Sequence, residues 1–172
     1  MGLDNKDILP QRTVFLDLIK YGSLVAERPV NPFFLQGIQS EREYSRAEFQ
    51  NRQREHKSKQ WPPVNAIIFP LNPKLNLQLV IIDGHHRTFL SRTSGASNHP
   101  TIQTQIYIPN LDMLQRLYPD IFSAIAMAKR LQSTKIFTPY TLTKELNIVL
   151  PESVTLNFKR IASAHAIIPH AH

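Results

Sequence analysis

The run Leu77-Gln78-Leu79-Val80-Ile81-Ile82 constrains the fold most, because it ends abruptly at Asp83-Gly84-His85-His86-Arg87. An apolar run this short has strand length, and a strand without polar alternation must be covered on both faces. A layered fold follows, with helices packed on a sheet. The switch to Asp-Gly-His-His-Arg predicts a sharp turn into a helix over residues 85–93. Ser94 to Pro100, which includes Gly95, closes that helix as a loop.

The flanking pattern extends this layering. Val64 to Phe69 is a second strand, and the turn Pro70 to Asn76 joins the two as a hairpin. Thr101 to Ile108 alternates polar and apolar residues, the mark of a half-buried strand. Upstream, Thr13 to Ile19 predicts a short strand running into a turn, and Glu27 to Pro32 a proline-fixed extended loop. Phe33 to about Lys59 is expected to be mostly helical until Trp61-Pro62-Pro63 stops it. Six Lys/Arg and four Glu are mixed between Glu41 and Gln60, a pattern of solvated helix faces more than of a nucleic-acid track. Beyond Pro109 the pattern turns helical, at Leu111–Tyr118 and at Pro119–Gln132, where Ile121, Phe122, Ile125 and Ala128 share a stripe. Phe137 to Thr141 is then a loop, Leu142 to Leu146 a helical turn and Val154 to Phe158 a short strand, followed by a weak apolar stretch from Ile161 to Ile168. The expected organisation is a flexible lead-in (1–12), a core (13–109) and a helical extension packed on it (110–172).

Composition limits the chemistry. Apolar residues make up 42% of the chain, enough for a packed core, and a net charge of +7 attracts anionic partners. Cysteine is absent, so disulfides, thiolate metal sites and cysteine nucleophiles are excluded. The first residues lack the apolar stretch of a secretory signal, Lys6 breaks a myristoylation pattern at Gly2, and no apolar run is long enough to span a bilayer. A cytoplasmic protein with no membrane partner is the expectation.

The segment Asp83 to Arg87 carries the chemistry. Unpaired N–H groups and a partial positive charge at a helix start suit a phosphate. Gly84 permits the turn and a close approach to the backbone. Arg87 can grip phosphate oxygens, while His85, His86 and Thr88 add donors. Asp83 stands at the carboxyl end of its strand and can bind a magnesium ion accompanying phosphates. The bland alternative is a capping aspartate beside surface histidines. Cations at a helix start cost the helix about 0.3–1 kcal/mol each, which an anion would offset.

Strand, Asp-Gly-His-His-Arg, helix, loop, strand resembles the ParB/sulfiredoxin superfamily, in the form found in its free serine kinase branch. The resemblance covers the order of elements from Thr13 to Ile108 and is specific around Val80–Arg87. Phe137-Thr138-Pro139-Tyr140-Thr141 is similar to a loop that helps to hold phosphate in that branch, with Thr138 and Thr141 as the hydroxyls. The resemblance implies a small mixed sheet flanked by helices (α/β, or α+β) and a nucleotide site at the glycine-led helix. It also implies a base early in the chain, for which Glu27 is the best-placed residue; the alternative for Glu27 is a surface ion pair with Arg28. Sulfiredoxin chemistry is excluded by the missing cysteine.

The expected function is binding of ATP or ADP with Mg2+, or of CTP, with transfer of phosphate to a small hydroxylated acceptor or hydrolysis of the nucleotide. Asp83, His85 and Glu27 are the candidate catalytic residues, and Asp83 the metal ligand. Gly84, His85, His86, Arg87, Thr88, Thr138 and Thr141 are the candidate phosphate or nucleotide ligands. The alternatives are a nucleotide-gated DNA-binding regulator related to partition proteins, with nucleic acid as partner, and a metal-dependent nuclease. His165, His170 and His172 in the tail could hold a metal, but a loose tail is the simpler expectation. Trp61 is expected to plug the core, and Tyr140 to stack on a base or pack on its loop.

Overall fold

The computed structural model describes residues 17–38, 62–93, 101–127, 133 and 135–165. Five strands form one mixed sheet: β1 (Ser23–Val30), β2 (Leu35–Gln36), β3 (Val64–Pro70), β4 (Leu77–Asp83) and β5 (Ile102–Ile108), in the order β1-β5-β3-β4-β2. The helices are α1 (His85–Thr93), α2 (Leu111–Leu117), α3 (Ile121–Met127), α4 (Pro139–Leu146) and α5 (Glu152–His165). A mixed sheet flanked by helices is therefore present.

The apolar runs become the inner strands. β3 and β4 pair antiparallel, with Ile68 opposite Leu79 and Ile67 opposite Val80, and β5 runs parallel to β3. The hairpin connection is held by Asn72, whose side-chain oxygen accepts from Lys74 N at 3.0 Å and Asn76 N at 3.2 Å. Such an Asx turn gives a tight reversal without a glycine. Every β4 residue from Leu77 to Ile82 is buried, Gln78 included. Phe69 packs on Phe122 of α3 with ring centroids 5.0 Å apart, and Phe158 and Ile161 of α5 join the same core.

Several sequence expectations are corrected. Residues 17–20 are helical, with Tyr21 N donating to Asp17 O at 3.0 Å, where a strand was expected; Leu18 is in the core. Residues 27–30 belong to an eight-residue strand, β1, and are not loop. Pro29 is tolerated because β1 is an edge strand, where one side of the ladder needs no donor. Pro32–Phe34 is a 3-10 turn leading into the short strand Leu35–Gln36, where a helix was expected from Phe33; Gly37 and Ile38 are not helical either, and residues 39–59 of that expected helix lie outside the described residues.

The expected strand at 154–158 lies inside α5. Its inward residues Val154, Phe158, Ile161 and Ala162 follow helical spacing. The expected loop at 137–141 divides. Phe137 bridges to Leu77, and Thr138 caps α4. Thr138 and Thr141 make a reciprocal capping box, Thr141 N donating to Thr138 Oγ1 at 3.2 Å and Thr138 N to Thr141 Oγ1 at 2.7 Å. Thr138→Ala is expected to lower stability by about 1 kcal/mol, measured as a shift of the urea midpoint at unchanged slope. Asp112 of α2 accepts from Asn157 at 2.8 Å and from Arg160 at 2.6 Å. That contact orients α5, and the Arg160 guanidinium, ahead of lesser causes, holds the Asp112 carboxyl below its usual range.

Among the described residues no helix is long and apolar enough to cross a membrane.

Candidate functional site

The junction between β4 and α1 is built by Gly84. Its φ of 109° lies in a region that side-chain-bearing residues avoid. A Cβ at this position would come within 2.9 Å of Val64 Cγ2 and of an Arg87 guanidinium nitrogen. Gly84 therefore turns the chain and also leaves room for the guanidinium. The helix starts at once. Thr88 N donates to Gly84 O at 2.9 Å, and Thr88 Oγ1 donates to the same carbonyl at 2.9 Å. The amides of His85, His86 and Arg87 lie before the intrahelical ladder begins, at the positive end of the helix dipole. The first turn holds no acidic residue, so no carboxylate of the helix itself offsets that charge.

Arg87 turns back to the strand end. One of its terminal nitrogens donates to Pro63 O at 3.0 Å and contacts Asp83 Oδ2 at 3.4 Å. Its side chain is only 10% exposed, and its Nε is buried with no hydrogen-bond partner. The Asp83 side chain is open, at 62% exposed. Asn65 Nδ2 also reaches Asp83 Oδ2 at 3.4 Å. Both protein donors thus converge on one carboxylate oxygen, and none of these contacts uses the other.

His85 departs from its expected role. It is 3% exposed, and its Nε2 accepts from Ile38 N at 3.0 Å. An accepting Nε2 requires a neutral ring with its proton on Nδ1. Burial first, then the charges of His86 and Arg87, push the pKa down from 6.5 to about 3. His85 is thus a buried acceptor that ties α1 to the end of β2. Thr88 is likewise fully buried and engaged with Gly84. His86 is half-buried at the second position of the helix. Arg92 anchors the other end of α1, donating from Nε to Pro32 O at 3.0 Å and from a terminal nitrogen to Leu35 O.

Thr138 and Thr141 do not join this junction. Phe137 bridges to Leu77, at the start of β4, whereas Asp83 is at its end. Six residues of strand place the two ends about 20 Å apart. Both hydroxyls are also committed to the α4 cap. Glu27, by contrast, stands at the level of Asp83. It pairs with Gln105, Gln105 with Asn65, and Asn65 with Asp83. Three strand spacings put Glu27 and Asp83 about 14 Å apart on one face. Arg28 does not pair with Glu27; it donates from Nε to Leu146 O at 3.2 Å.

Asn65 and Gln105 were not singled out by sequence reasoning. The available signal was a lone asparagine opening an apolar strand and the polar positions of an alternating one. Among the described residues no group of three His, Asp or Glu side chains is arranged to hold a metal. His170 and His172 lie outside the described residues, as does Trp61, and the side chain of His165 is not described. Tyr140 is 71% exposed on α4, with Lys144 Nζ 6.0 Å from its ring centre.

Comparison with protein-family models, curated proteins and solved structures finds no match.

Proposed function

We propose that the protein binds a nucleotide, through its phosphates and with Mg2+, at the β4–α1 junction and passes a phosphoryl group to a small hydroxylated acceptor. The observation that carries this reading is the Arg87 guanidinium, buried against Gly84 at a helix start with its Nε unpaired. An unpaired, buried donor on a cation is costly by itself. An anion on the first-turn amides would complement both the helix dipole and the guanidinium.

Asp83 fits a metal bound mainly through phosphates, since such ions take one or two carboxylates and keep water or phosphate as their other ligands. Its open side chain has one oxygen outside the contacts with Asn65 and Arg87. When bound, the ion would neutralise charge on the transferred group. With His85 facing inward, Glu27 is the remaining candidate base. In the transfer, the acceptor oxygen bonds to the terminal phosphorus and the bond from that phosphorus to its bridging oxygen breaks. The hydroxyl proton passes to Glu27. The products are a phosphate ester and the nucleotide shortened by one phosphate.

The test is a thermal-shift screen of ATP, ADP, CTP and GTP with and without Mg2+. A ligand at a hundredfold excess over its dissociation constant stabilises by about 2.7 kcal/mol. Arg87→Ala is expected to weaken binding of the best nucleotide at least about tenfold, a loss of about 1.4 kcal/mol, by calorimetric titration. Because Arg87 also braces Pro63, Arg87→Lys is titrated beside it and both are checked for folding by circular dichroism. Unchanged affinity in two folded variants would rule out phosphate at this helix.

A further inference from the structure

The Asp83 carboxylate stands where it competes with any anion that enters the β4–α1 junction. Among the described residues it is the one acidic side chain on Arg87, with Oδ2 3.4 Å from a guanidinium nitrogen. The residue between Asp83 and the helix is Gly84, which has no side chain to accept from the first-turn amides, and the first turn of α1 holds no acid. A guanidinium and a helix start, both of which favour anions, therefore share a single carboxylate.

The geometry marks the Asp83–Arg87 pair as loose. Its 3.4 Å is well outside the range of about 2.7–2.9 Å for a strong charge-assisted hydrogen bond. One oxygen meets one nitrogen, where a carboxylate and a guanidinium can pair through two of each. Asp83 is 62% exposed and Arg87 10%, so water screens the carboxylate. An exposed ion pair shifts an equilibrium by at most about fivefold. The guanidinium keeps a shorter bond to Pro63 O, at 3.0 Å, and its Nε stays buried without an acceptor. Asn65 holds the same Asp83 oxygen no more closely, at 3.4 Å, and leaves Oδ1 outside both contacts. The pair thus neither satisfies Arg87 nor immobilises Asp83. A free phosphate on the first-turn amides would nonetheless lie beside a like charge and would have to win Arg87 from it.

We propose that Asp83 is an autoinhibitory contact, which holds Arg87 against free phosphates and yields to phosphates complexed with a divalent cation. The proposal rests on the reading of the β4–α1 junction as a nucleotide site and concerns how that site is gated. With Oδ1 on a divalent cation, the carboxylate no longer repels a phosphate and holds Arg87 less tightly. Its charge then favours binding, because it attracts the cation that the phosphate oxygens share. The contribution of Asp83 therefore changes sign with the metal: against the anion alone, and for the anion with its cation.

Pyrophosphate is the probe, titrated by calorimetry into the full chain in metal-free buffer and in Mg2+ at equal ionic strength. Asp83→Asn is compared with the parent chain, with Asp83→Ser beside it to guard against a folding defect in one variant. Glu152→Gln, at an exposed position opening α5, removes the same charge elsewhere. Without metal, the Asp83 variants are expected to bind pyrophosphate about fivefold more tightly than the parent, and Glu152→Gln to bind like the parent. In Mg2+ the order inverts, and the Asp83 variants bind about tenfold more weakly than the parent. A carboxylate that only braced the turn would weaken both forms of the ligand alike when lost. The proposal is overturned if neither Asp83 variant gains metal-free affinity, or if Glu152→Gln gains as much. Binding of magnesium pyrophosphate by the parent beside either result spares the nucleotide site. Absence of pyrophosphate binding to every chain in both buffers defeats the nucleotide site, and the gate with it.

Discussion

Gly84→Ala is expected to be strongly destabilising for a change of one methyl group. The backbone at φ 109° is strained for any residue with a Cβ, at about 1–3 kcal/mol. The added atom also meets Val64 Cγ2 at 2.9 Å and Val64 Cα at 3.1 Å. Val64 is fully buried in β3 and cannot move aside, so overpacking adds about 1–3 kcal/mol. The terminal nitrogen of Arg87, also at 2.9 Å, can swing away, but doing so breaks its bond to Pro63. Urea denaturation should therefore show a midpoint lowered by the equivalent of several kcal/mol without a change in slope. A variant with the parent's midpoint would show that the turn does not have this conformation. Where Gly84→Ala remains folded at low temperature, the same methyl group should cover the first-turn amides and depress nucleotide affinity.

The second large effect is a dependence of stability on pH that His85 introduces. The folded ring has a pKa of about 3 and an ordinary histidine 6.5. Below pH 6.5 the unfolded chain takes up a proton that the folded chain does not, so stability falls as the pH is lowered. The contribution is fully present above pH 6.5 and is lost progressively down to about pH 3, at about 1.4 kcal/mol per unit. Ordinary carboxylate titration overlaps the lower part of this window, so the readout is a difference. His85→Gln supplies an oxygen to accept from Ile38 N and cannot titrate. Its stability should decline less steeply than the parent's between pH 6.5 and 4.5, measured without metal or nucleotide. Parallel curves would remove the buried, neutral ring from the account. Protonation would also cost the bond to Ile38 N, so the protection of the amides at residues 36–38, taken relative to the intrinsic exchange rate at each pH, should fall with acid in the parent alone.

How far the sequence reveals this architecture depends on whether the signal is local. The β3–β4 hairpin and α1 were legible because each is announced by adjacent residues: an apolar run, an asparagine turn, a glycine before a polar helix start. β1 was hidden by Pro29. Proline argues against a strand in general, but only the position of β1 at the edge, set by pairing with β5, makes it harmless. α5 was hidden by Val154 and Phe158, strand formers whose spacing of four residues has helical meaning only when Ile161 and Ala162 complete the face. Asp83, Gly84 and Arg87 were visible as a cluster. That His85 turns inward was not, because its acceptor role depends on Ile38, which is distant in sequence. The alignment of Glu27, Gln105, Asn65 and Asp83 across the sheet was invisible for the same reason. Its four members come from four segments, and a one-residue slip in any ladder would send one of them to the opposite face. Thr138 and Thr141 show the converse error, since a local likeness to a phosphate loop is consumed by a helix cap.

Pro29 and the shifted register between Leu24 and Ala26 have a further consequence for how the molecule behaves among its own copies. Among the described residues β1 is hydrogen-bonded on one side only, and Leu24 beside the irregularity is 53% exposed. A straight, fully donating border of this kind would be a template for chain-to-chain strand addition and insoluble assembly. The missing N–H of Pro29 and the kink at Val25 interrupt that template near both ends. The charges of Glu27 and Arg28 lie between them. The same strand can thus keep an open face on the sheet while its border stays a poor partner for another chain.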